Sequence, residues 1–78
     1  MRYAVVIEKA ENNYSAYVPD LPGCVSVGDT LEEIEQMIRE AIEFHIEGMR
    51  LDGEEVPAPT SLCAMIEVND PVPSTDGV

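Results

Sequence analysis

Five consecutive apolar residues, Tyr3, Ala4, Val5, Val6 and Ile7, follow Met1 and Arg2 and stop at Glu8. A short run rich in β-branched side chains and bounded by charge predicts a strand over residues 3–7, buried on both faces. Lys9, Ala10, Glu11, Asn12 and Asn13 then supply a polar turn, with Asn suited to the left-handed conformation of tight hairpins. Residues 14–18 alternate, with Tyr14, Ala16 and Val18 on one face and Ser15 and Tyr17 on the other, the period of a second strand. Pro19 and Pro22 lack the N–H a ladder needs, so Pro19-Asp20-Leu21-Pro22-Gly23 is a loop. A third strand over residues 24–27 ends at Gly28-Asp29.

The period then changes. Ile34, Met37, Ile38, Ala41, Ile42, His45 and Met49 recur at spacings of three and four, while Glu32, Gln36, Arg39, Glu40, Glu43 and Glu47 fall opposite. This predicts a helix of about five turns with one face on a sheet and one in water. Thr30 and Glu33 fit a capping box at its start, and Asp52-Gly53 punctuates its end. Val56-Pro57-Ala58-Pro59 is a stiff linker to a last strand over residues 62–68. There Leu62, Ala64 and Ile66 share one face and Cys63, Met65 and Glu67 the other. Residues 70–78 are turn formers with little to bury and read as a disordered tail, so the domain is expected to span residues 1–69. The order β-β-β-α-β makes an α+β layer, one helix on a four-stranded sheet.

Sixteen Asp and Glu against four Lys and Arg leave a net charge of -12. Neutralising phosphates needs Lys and Arg, so unaided DNA or RNA binding and docking on anionic membranes are disfavoured. A basic protein or a cation is the partner such a surface would attract, though the same acidity also serves solubility alone. No apolar run is long enough to span a bilayer, and no cleavage site follows the N-terminal stretch, which points to the cytoplasm. Cys24 and Cys63 form no CxxC pair and the chain has one His, so no zinc spacing exists. Reduced thiols are the default, a single disulfide the minor alternative.

The run Tyr17-Val18-Pro19-Asp20-Leu21-Pro22-Gly23-Cys24, then Gly28-Asp29-Thr30-Leu31-Glu32-Glu33, closely resembles the HicB-like antitoxin family. So does Glu40-Ala41-Ile42 leading to Asp52-Gly53-Glu54-Glu55-Val56-Pro57-Ala58-Pro59. The resemblance covers roughly residues 2–68. It implies a truncated RNase H-like fold with strand order 3-2-1-4, and a non-catalytic protein without a cofactor that binds and neutralises a small basic HicA-type mRNA interferase. Two-gene antitoxins of this family usually carry a C-terminal DNA-binding domain. With 78 residues and no basic segment, direct DNA binding is not expected of this chain.

Three alternatives bear on the site. An RNase H-like nuclease holds two divalent metals with carboxylates, but the first strand centres on Ala4, Val5 and Val6. A nuclease here would need a non-standard set such as Glu8, Asp20 and Glu67. A solitary oligomeric binding domain is the other alternative. His45 is a packed histidine or, on the sharper reading, a general base or pH switch. Asp20, Leu21 and Pro22 of the loop and Glu32, Glu43 and Glu47 of the helix are the candidate partner-binding residues, the loop competing with a purely structural role. Edges without Lys or Pro guards predict a homodimer or a larger even-numbered assembly.

Overall fold

A computed structural model describes residues 1–69; the expected tail lies outside the described residues. Strands β1 (Val6–Lys9), β2 (Tyr14–Tyr17) and β3 (Val25–Gly28) form an antiparallel meander in the order β1-β2-β3, and helix α1 (Leu31–Leu51) covers one face. The register sets Ile7 against Ala16 and Ala16 against Ser26, which aligns these three in one row across the sheet. Tyr17 pairs with Val25 and Ser15 with Val27 on the opposite face, which no described element covers.

The polar turn differs from expectation. It is a loop closed by Ala10 N–H donating to Asn13 O at 2.8 Å, and no described residue other than glycine has a positive φ. The left-handed freedom of Asn is therefore unused. The proline loop is two consecutive turns: Leu21 N–H donates to Val18 O and Cys24 N–H to Leu21 O, both at 3.0 Å. Pro22 followed by Gly23 at φ 87° is the signature of a type II turn. These turns fold Leu21 inward, where it is fully buried.

The helix follows its local signals closely. Glu33 N–H donates to Thr30 Oγ1 at 3.0 Å, while the Glu33 carboxylate accepts from Asp29 N–H at 2.8 Å, one residue earlier than in the standard box. At the far end Glu54 N–H donates to Met49 O and Gly53 N–H to Arg50 O, with Gly53 at φ 76°. That is a Schellman closure. Ser26 Oγ donates to Met37 O, and a Cβ on Gly28 would lie 3.0 Å from the Ile34 nitrogen. Strand β3 thus meets the helix backbone to backbone, which only glycine permits.

Ala16, Val18, Leu21, Cys24, Ile34 and Ile38 are the buried core. The apolar stripe is rotated from the expected one: Met37 is 40% exposed and outside the core, whereas Ile46, not anticipated, packs on the core. Residues 3–7 are half-buried rather than buried on both faces, because nothing described lies outside β1.

The expected fourth strand does not join the sheet. Residues 62–68 make no ladder and are exposed throughout, Leu62 at 96% and Met65 at 98%. Their path is set just before, where the Tyr3 hydroxyl donates to Pro57 O and Asp20 holds Thr60 and Ser61.

Candidate partner-binding surface

The candidate residues separate into two roles. Asp20 Oδ2 accepts from the Thr60 and Ser61 backbone N–H groups, both at 2.8 Å, and Oδ1 accepts from their hydroxyls at 3.1 and 2.9 Å. The Ser61 and Thr60 amides hold its carboxyl below the ordinary value of 3.8. Asp20 is a clamp between the β2–β3 loop and the linker after the helix. Leu21 is core. Of the three candidate loop residues, Pro22 alone is exposed.

Glu32, Glu43 and Glu47 are all exposed on α1. At 100° per residue they lie within about 60° of one another round the axis, so they form one acidic strip. Beside it runs an apolar ridge that the wider core stripe masks in the sequence pattern. Met37, Phe44 and Leu51 stand seven apart, and Phe44 and Leu51 are 79% and 81% exposed. Heptad spacing, a narrower signal than the core stripe, would have found this ridge. Glu40 and Glu47 run along one side of it, giving apolar anchors beside a row of carboxylates. Phe44 also borders a recess with Pro22 and His45, which brings the loop and the apolar ridge to one surface, while Glu43 and Glu47 lie outside that recess. His45 is half-buried there, against Leu21 and Pro57.

Among the described residues no three His, Cys, Asp or Glu side chains gather closely enough to hold a metal, so Glu8, Asp20 and Glu67 do not form a set. Cys24 is buried, which pushes its thiol upward, and Cys63 is exposed; neither is bonded to the other. No helix among the described residues is long and apolar enough to cross a membrane.

The chain is 54% identical over 57 residues to an uncharacterised 14.9 kDa protein of Haemophilus phage HP1, covering 73% of this chain and 43% of that one. It is 33% identical over 61 residues to Antitoxin HicB 2 of Photorhabdus laumondii, covering 78% of this chain and 44% of the antitoxin. It thus spans less than half the length of both. A UPF0150 protein of Synechocystis is nearer in size, 46% identical with 70% and 71% of the two chains covered. Among solved structures, a chain of the HicA3 and HicB3 toxin–antitoxin complex superposes with a TM-score of 0.67 at 32% identity, over 76% of this chain and 69% of that one. The model of the HicB-like antitoxin of bacterial toxin–antitoxin systems matches residues 3–72. The fold, the motif spacing and these matches agree: the chain belongs to the HicB-like antitoxin family.

Proposed function

We propose that this chain is a non-catalytic, cytoplasmic antitoxin that binds a small basic HicA-type toxin and neutralises it by covering its RNA-binding face. The observation that carries the reading is the likeness to a chain of the HicA3 and HicB3 complex, close in fold and at 32% identity. The surface chemistry supports it. A protein that grips RNA must present Lys and Arg, and the Glu32, Glu43 and Glu47 strip is their complement. Met37, Phe44 and Leu51 supply what charge alone lacks, apolar anchors that exclude water at the centre of a contact. Pro22, beside Phe44, extends the same surface. A net charge of -12 opposes direct DNA contact by this chain. The truncated RNase H-like sheet, order 3-2-1-4, is complete in this reading only when a fourth strand occupies the outer edge of β1.

Co-purification tests this. The chain is co-expressed with each small basic protein encoded beside its gene and captured at low and high salt. A toxic neighbour that co-purifies, less so as salt screens the charges, is the expected result. Phe44→Ala is expected to weaken capture at both salts, and Glu43→Lys with Glu47→Lys mainly to slow association, about tenfold. If no neighbour is toxic alone and none is retained at low salt, the antitoxin reading fails.

A further inference from the structure

Beside the C-terminal half of α1 lies a recess of about 540 Å³, within the roughly 300–1,000 Å³ of ligand sites. Three elements wall it: the helix with Phe44 and Met49, the β2–β3 loop with Pro22, and the linker with Pro57. The walls are tied together, because the Tyr3 hydroxyl donates to Pro57 O and Asp20 of the loop holds Thr60 and Ser61. The recess is therefore formed before anything enters it, which spares an occupant the cost of ordering it.

Its lining holds a glycine that the fold does not use. Phe44, Gly48 and Asp52 follow one another at a spacing of four, so all three lie on one side of the helix with Gly48 in the middle. Gly48 has no positive φ, and a Cβ there would meet nothing within 4 Å outside the helix's own backbone. Glycine inside a helix costs stability relative to alanine, and here neither backbone conformation nor a packed neighbour calls for it. Its bareness keeps the recess deep. At the end of the helix the lining turns acidic, with Asp52 and Glu54 both exposed. Half-buried His45 is the other ionisable group there, and no Lys or Arg lines the recess among the described residues.

We propose that this recess receives an arginine side chain of a basic partner protein, its aliphatic stem lying across Gly48 and its guanidinium meeting Asp52 and Glu54. Arginine fits both halves of the site. Its methylene stem gains from the walls of Phe44, Met49 and Pro57, while its charged head stays at the wet, acidic end. The planar guanidinium carries five donors and can serve two carboxylates at once, which a lysine ammonium does less well. The negative end of the helix dipole favours a cation at the same place. This is a second point of contact, since Glu43 and Glu47 lie outside the recess. That the arginine comes from a partner protein rests on the antitoxin reading; the chemistry of the recess does not.

The test uses the full chain, isotope-labelled, titrated with N-acetylarginine amide and, as the uncharged analogue of the same shape, N-acetylcitrulline amide. Saturable amide shifts at Phe44, Gly48 and Asp52 are expected with the first and not with the second. Gly48→Gln puts a side chain into the recess where no described neighbour opposes it, so its unfolding midpoint is expected at or above the parent's. That variant, and Asp52→Asn with Glu54→Gln, are each expected to weaken arginine binding about tenfold. Equal shifts from the citrulline analogue, shifts centred on Glu43 and Glu47, or undiminished binding by folded Gly48→Gln would each overturn the site. Capture separates this from the antitoxin reading. If a basic neighbour is retained equally by Gly48→Gln and by the parent, the recess is overturned and the antitoxin reading stands. If arginine binds in the recess but no neighbour is retained, the recess stands and that reading falls.

Discussion

Residues 3–7 and residues 62–68 are both short runs rich in large apolar side chains, yet they meet opposite fates. The first lies half-buried beside β2, with Val5 and Ile7 on the core, and continues into β1. The second is exposed along its whole length. Composition does not separate them; neighbours do. Residues 3–7 are followed by a short turn that brings β2 alongside at little entropic cost, whereas residues 62–68 follow a proline linker anchored elsewhere. A strand pattern states which side chains share a face. It leaves open which edge, and which molecule's edge, that face will meet.

The contrast can be broken at its buried end first. Ile34→Ala empties a fully buried site under the sheet and is expected to cost about 2–5 kcal/mol in denaturant unfolding. Ile66→Ala, measured at concentrations where the chain is monomeric, is expected to change stability by under about 0.5 kcal/mol. Equal losses would mean that residues 62–68 are already packed within a single copy. Next in size, Gly28→Ala forces a Cβ against the Ile34 backbone, where no flexible side chain can yield, and is expected to cost about 1–3 kcal/mol. A neutral result would show that β3 and α1 do not meet as closely as described. Thr30→Ala removes the acceptor for Glu33 N–H and is expected to cost about 1 kcal/mol, read as a shift in the unfolding midpoint at unchanged slope.

The smallest effect is local and depends on pH. Hydrogen bonds from Ser61 and Thr60 lower the Asp20 carboxyl below 3.8, so the folded form favours its ionised state. The clamp is therefore fully present above the ordinary carboxyl value and weakens as pH falls through the lower folded value. Amide protection at Thr60 and Ser61, taken relative to intrinsic exchange, is expected to fall as pH drops through the lowered Asp20 value and, in Asp20→Ala, to be lost at every pH while Ile34 and Ile38 stay protected. Loss of protection throughout the helix in that variant would make Asp20 part of the core rather than a tether.

Much of this was legible in local chemistry. The Thr30 cap, the glycine after Asp52 and the proline turns act within a few residues, and each formed near where the sequence placed it. Ile46 and Met37 were misassigned because an apolar stripe spans more than a hundred degrees, and the contact with β3 and β2 sets which part of it faces inward. Asp20 looked like a binding residue of an exposed loop. Its partners lie forty residues away, a distance at which the sequence holds no signal. Leu21 was read with its neighbours as either a partner-binding loop or a rigid turn, and the two consecutive turns direct it into the core. Phe44 and Leu51 were present as a heptad pattern, overlooked because the wider stripe on the same helix dominates.

The most direct measurement of the central claim is an RNA-cleavage titration. If a small basic protein encoded beside the gene is toxic, its nuclease activity on labelled RNA is followed as purified chain is added. The acidic strip and the Phe44 ridge predict that cleavage falls in proportion to added chain, reaches background near one chain per toxin, and returns when Phe44→Ala or Glu43→Lys with Glu47→Lys is used at the same ratio. Undiminished cleavage at a tenfold excess of the unaltered chain would contradict the account.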